Sequence, residues 1–75
     1  MKVLSQNEAQ SLYAAMTHLN NLDAEFTFSV ENAFGDVTVK STNSGWGVEV
    51  LLGSTILYSF ENQAEFAQYY GASIE

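Results

Sequence analysis

The amino-acid sequence predicts an α+β fold: a helix, a four-stranded antiparallel meander and a short C-terminal helix, with both helices on one face of the sheet. Two changes of hydrophobic period carry that expectation. Apolar residues recur every three or four positions as far as Leu19, every second position from Phe26 to Phe60, and at helical spacing again in Phe66, Tyr69 and Tyr70. The chain has 75 residues, read as one α+β domain over 1–75. A chain of that length buries only about 60% of its unfolded surface and holds one core. Leu, Ile, Val and Phe together number 20, above the level at which a chain stays disordered.

The first helix is expected over residues 6–20. Ser5 can cap it, and Glu8, three residues on, can reach back to the Ser5 amide in a capping box. Leu4, just before the cap, is placed to staple onto Ala9. Ala9, Leu12, Tyr13, Met16 and Leu19 then form one stripe along the helix. Asn20 and Asn21 end it, because Asn tolerates the left-handed conformation at a helix C-terminus.

From Ala24 the period is two, the mark of a half-buried strand. Phe26, Phe28 and Val30 alternate with Glu25, Thr27, Ser29 and Glu31 in the first strand, and Val37 and Val39 with Asp36, Thr38 and Lys40 in the second. Trp46, Val48, Val50 and Leu52 mark a third strand, and Ile56, Tyr58 and Phe60 a fourth. Asn32 to Gly35, Thr42 to Gly45, and Gly53-Ser54 supply the turns, so hairpins are the natural connections.

Antiparallel partners must share a face, which allows register to be tested from the sequence. In the first hairpin, Val30 falls opposite Val37 and Phe28 opposite Val39. In the second, the expected pairs are Ser41 with Trp46, Val39 with Val48 and Val37 with Val50. Two registers compete in the third. A two-residue Gly53-Ser54 turn sets Val50 opposite Leu57, whereas a three-residue turn or a bulge pairs Leu52 with Ile56, Val50 with Tyr58 and Val48 with Phe60. The second choice keeps the larger side chains together and is preferred. A slip by one residue would instead expose Ile56, Tyr58 and Phe60 and move Leu57 into the core.

After Phe60, Asn62 is a candidate N-cap with Glu65 three residues later, and Gly71 a terminator, so a short helix carrying Phe66, Tyr69 and Tyr70 on its apolar stripe is expected. Both helices then cover the Phe26/Val39/Val48 face, and the other face is left to solvent or a partner.

Nine acids against two lysines and no arginine give a net charge of −7, which repels nucleic acid and anionic membranes and attracts basic partners. Cysteine is absent, so neither a disulfide nor a thiolate–zinc site is expected. The start turns polar too soon for a secretory leader, and no apolar run approaches the roughly 18 residues of a membrane span, so a cytoplasmic location is expected.

Little in the chain suggests catalysis. His18 is the single imidazole and falls on the polar side of its helix, away from Leu12, Met16 and Leu19. Eight serines therefore lack a convincing base, and acyl transfer is not expected. Asp23 with Glu25, and Glu31 with Asp36, could serve as paired carboxylates, but they lack calcium-loop spacing and read as solvated acids at strand ends. Gly45-Trp46-Gly47 could present Trp46 for stacking, yet parity places it on the core face. Gly35 and Gly53 are turn glycines, not a phosphate loop. No catalytic residue, metal ligand or cofactor is assigned.

The distribution of charge says more. Parity sends Glu25, Glu31, Asp36 and Glu49 to the outer face with Thr27, Ser29, Thr38 and Lys40, and the preferred register adds Leu51 and Leu57 as an apolar spot beside them. Those six residues, Glu25, Glu31, Asp36, Glu49, Leu51 and Leu57, are the candidate partner-binding site. The expected activity is docking on a basic, nucleic-acid-binding surface of another protein or complex, where the carboxylates replace nucleic-acid phosphates against Lys and Arg. The alternative is a self-associating domain, a homodimer through the Glu25–Val30 edge or the Leu51/Leu57 area.

In length, acidity and layout the chain resembles the small acidic inhibitors that phages and mobile elements encode, anti-CRISPR proteins in particular. The run Tyr58-Ser59-Phe60-Glu61-Asn62-Gln63-Ala64-Glu65-Phe66 is similar to the closing strand and short aromatic helix of some of them. The resemblance implies a protein in the host cytoplasm that binds a CRISPR effector complex without enzymatic activity and prevents recognition or cleavage of target DNA. No residue roles transfer with it.

Overall fold

The structure, a computed structural model, describes residues 2–21, 25–42 and 47–72, with the side chains of the first stretch given through Leu19. Asp23, Trp46, the turn residues 43–45 and the side chains of Asn20 and Asn21 lie outside it.

Helix α1 spans Gln6–Asn21. It begins as the expected capping box: the Glu8 amide donates to Ser5 Oγ at 3.1 Å, and the Ser5 amide to Glu8 Oε1 at 2.8 Å. That second bond is the main reason the Glu8 carboxyl is held below its ordinary value, against partial desolvation and with help from Asn32 and the Ser5 hydroxyl.

Strands β1 (Thr27–Asn32), β2 (Gly35–Thr42), β3 (Gly47–Leu52) and β4 (Thr55–Phe60) form one antiparallel sheet in the order β1-β2-β3-β4. The first hairpin has the expected register, Phe28 opposite Val39 and Val30 opposite Val37. Its pairing runs past the strand end, because the Phe26 amide donates to Ser41 Oγ at 3.0 Å and the Ser41 amide to the Phe26 carbonyl at 2.9 Å.

The second hairpin differs from expectation by two residues. Val39 lies opposite Val50, Val37 opposite Leu52 and Ser41 opposite Val48. A shift of two keeps every side chain on its face, so parity could not detect it. It sets Leu52 beside Val37 and carries the ladder one bond further, from the Gly53 amide to the Asp36 carbonyl at 2.9 Å.

The third hairpin combines the two registers weighed above. Val48 pairs with Phe60 and Val50 with Tyr58, as preferred, but Leu51 pairs with Ile56 and Leu52 with Thr55 across a tight Gly53-Ser54 turn. The mismatch is absorbed by a bulge that leaves Leu57 as the extra residue. Gly53 takes a positive φ of 62°, which an L side chain rarely adopts.

Helix α2 spans Gln63–Tyr70 between the expected caps. Asn62 Oδ1 accepts from the Glu65 amide at 2.9 Å. Gly71 is left-handed, with φ 71°, and the Ala72 amide closes the last turn onto the Ala67 carbonyl at 2.8 Å.

Both helices lie on one sheet face. Met16 of α1 and Phe66 of α2 are completely buried with Val37, Val39, Val48 and Val50. Two polar side chains tie this layer together. Asn32 Nδ2 donates to the Val3 carbonyl at 2.8 Å and to Glu8 at 3.3 Å, while its Oδ1 accepts from the Phe34 amide at 2.9 Å. Gln6 Nε2 donates to the Gly71 carbonyl at 2.9 Å, joining the start of α1 to the end of α2.

Around α2 the core is aromatic. Phe66 meets Phe60 edge-on at 5.8 Å between ring centroids, and Tyr70 meets Tyr69 at 4.9 Å. The Tyr70 hydroxyl is buried and has no hydrogen-bond partner among the described residues. Burial, seconded by the neighbouring Tyr58 and Tyr69, pushes its phenol well above the ordinary value.

Met16→Ala should cost about 2–5 kcal/mol in urea unfolding, the cost of a cavity in a packed core. That is a large share of the roughly 4–11 kcal/mol open to a domain of this size. Tyr70→Phe should leave stability unchanged or raise it by up to about 1 kcal/mol, since it removes an unsatisfied hydroxyl. A raised folded-state phenol stabilises fully below the unfolded value near 10 and loses that contribution as pH climbs toward the folded value. Wild type should therefore weaken above about pH 10 more steeply than Tyr70→Phe; parallel pH profiles of the two would contradict this account.

Candidate functional site

The two helices leave the opposite sheet face open, and strand alternation decides what stands on it. One row across the sheet reads Thr27, Lys40, Glu49, Ser59, and the next reads Ser29, Thr38, Leu51, Ile56. Beyond these, Glu31 lies directly opposite Asp36, and both are exposed. Glu25, also exposed, stands just before β1 at the other end.

Two candidate residues need correction. Glu49 is not a free anion: the register shift brings Lys40 opposite it, and Lys40 Nζ lies 3.8 Å from Glu49 Oε1. At that distance, with both side chains part-exposed, the pair is worth at most about 1 kcal/mol to stability, but it cancels charge in the middle of the face. Leu57 does not join the outer apolar spot, because the bulge turns it against the core cluster. Ile56 replaces it, 55% exposed and paired with Leu51.

The face thus has a neutralised centre, an aliphatic pair on β3 and β4, and free carboxylates toward β1. Phe34, half exposed, stands in the turn joining the strand of Glu31 to that of Asp36. The other described acids serve elsewhere. Glu8 is in the α1 capping box, and Glu61 and Glu65 flank the start of α2, where the helix dipole favours negative charge.

Such a surface can accept hydrogen bonds from ammonium and guanidinium groups beside an apolar contact. The residues that could do more do not assemble. His18 is exposed in the last turn of α1, and among the described residues no three of His, Asp and Glu converge to hold a metal ion. No helix among them is long and apolar enough to cross a membrane.

Sequence reasoning overlooked a second surface feature. Glu65, Gln68 and Tyr69 of α2, spaced to share one helix side, and Phe60 of β4 line a cavity of about 340 Å³. Tyr69 is half-buried there, hydrogen-bonded to Tyr58, and Lys2 Nζ sits 5.0 Å from its ring centroid. The spacing of those three residues was visible in the sequence. Their position beside an edge strand was not.

No family model, curated protein sequence or solved structure matches the chain.

Like charges directly opposite across two strands are destabilising, by roughly 0.2–1 kcal/mol. Glu31→Lys converts the Glu31/Asp36 pair into an attractive one and should raise stability by about that amount in urea unfolding at low salt. A loss of stability would show that the two carboxylates do not oppose each other.

Proposed function

We propose that this protein is a non-enzymatic inhibitor that docks its open sheet face on a basic, nucleic-acid-binding surface of a partner, and that the partner is a CRISPR effector complex. The observation that carries the reading is the unroofed face, where Glu25, Glu31 and Asp36 are exposed alongside Leu51 and Ile56. Carboxylates held on a rigid sheet take the place of phosphates against Lys and Arg, and a net charge of −7 steers the protein toward a cationic groove. Leu51 and Ile56 give the contact an apolar component that charge alone lacks. The choice of partner follows the resemblance to anti-CRISPR proteins in size, acidity and layout.

Self-association through the same face is disfavoured, because it would bring the carboxylates of one copy close to those of the other. The charge that repels a second copy attracts a basic partner.

The test offers labelled target DNA to a panel of purified effector ribonucleoproteins, with and without this protein, at about 50 and about 200 mM salt. DNA binding by one effector should be lost at the lower salt and partly restored at the higher. Glu25→Lys with Glu31→Lys should inhibit about tenfold less well while staying folded by circular dichroism. If no effector loses DNA binding, or the double variant inhibits as well as wild type, the reading is wrong.

A further inference from the structure

We infer that the crevice between α2 and β4 is a receptor for a single cationic side chain, an arginine presented by a partner protein. This does not rest on the sheet-face proposal, since the crevice is built from the helix-covered side of the molecule.

Phe60 closes β4, the edge strand of the sheet, and one turn of α2 sets Glu65, Gln68 and Tyr69 beside it. The Phe60 and Tyr69 rings, 5.7 Å apart between centroids and inclined at 48°, form an apolar wall. Glu65 and Gln68 add a carboxylate and an amide. The cavity of about 340 Å³ lies near the small end of ligand sites, which span roughly 300–1,000 Å³. It is large enough for one long side chain.

The chemistry selects the charge of the occupant. Aromatic faces attract cations, and Tyr69 already does so within the molecule, where Lys2 Nζ stands 5.0 Å from its ring centroid. Glu65 Oε1 accepts from the Glu61 amide at 2.9 Å, which orients the carboxylate beside the crevice. Anions are repelled by that carboxylate and by the net charge of the protein.

Arginine fits these groups better than lysine. Its guanidinium is flat enough to lie along a ring and carries a fork of donors for a carboxylate and an amide oxygen together. A second copy of this chain is a poor source, because it has no arginine, and its two lysines lie over Tyr69 and beside Glu49. The arginine therefore comes from a different, basic protein.

The experiment is an NMR titration of the intact protein with Nα-acetyl-arginine methylamide, at constant ionic strength and millimolar concentrations, with the citrulline analogue as the uncharged isostere. Shifts should concentrate on Phe60, Glu65, Gln68 and Tyr69, and citrulline should bind roughly five- to tenfold more weakly. Glu65→Gln keeps an acceptor for the Glu61 amide and should weaken arginine binding by a similar factor, whereas Glu61→Gln, which removes an equal charge outside the crevice, should not. Equal binding of citrulline, tighter binding of the lysine analogue, or shifts confined to Glu25, Glu31 and Asp36 would each overturn the inference. The Glu25→Lys/Glu31→Lys variant should retain the crevice shifts, which separates failure here from failure of the sheet-face reading.

Discussion

Two helices of 16 and 8 residues can cover one face of a four-stranded sheet and no more. That limit organises the molecule. The chain has apolar residues for one layer of packing, and the pleat delivers them to one side: Met16 and Phe66 come down from the helices onto Val37, Val39, Val48 and Val50. Each of those six side chains, removed from water, stabilises the fold by roughly 1.5–3 kcal/mol before entropy is counted. The opposite face has no such partner among the described residues. It is polar because it must be wet, and its use is set by which polar groups stand there.

The acids divide between two physical roles. Glu8, Glu61 and Glu65 sit at helix starts, where unpaired amides and the helix dipole favour them. They support the helices locally. Glu31 and Asp36 face each other across β1 and β2, where like charge costs stability, while Lys40 stands by Glu49 and Lys2 over Tyr69. An opposing cationic surface, as proposed above, would turn that repulsion into attraction. Lys40 is spent on Glu49, so the field of the face leans toward β1.

Long-range order depends on few polar contacts. Asn32 closes the first hairpin turn while holding the Val3 carbonyl and Glu8, so one amide links the N-terminal segment, the α1 cap and the sheet. Gln6 does the same between the two helices through Gly71. On the other side, the rings of Tyr58, Phe60, Phe66, Tyr69 and Tyr70 interlock at 4.9 to 6.1 Å and seat α2 against β4. The crevice at Tyr69 lies where that cluster reaches the surface.

Local chemistry made much of this legible in the amino-acid sequence. The Ser5/Glu8 box, the Asn62 cap, Gly71 and the alternation through β1, β2 and β3 each depend on residues a few positions apart; each specified its element, and the alternation also its face. What escaped was set by comparisons between distant strands. Parity cannot tell a register from one displaced by two, so the meeting of Lys40 with Glu49 was decided by how β2 and β3 fill the core together. The bulge arose because a tight Gly53-Ser54 turn and the packing of Tyr58 and Phe60 ask for different registers; one extra residue reconciles them, sending Leu57 inward and leaving Ile56 outside. Alternation along a strand is a property of the backbone and survives any context, whereas the offset between strands is a property of the packed whole.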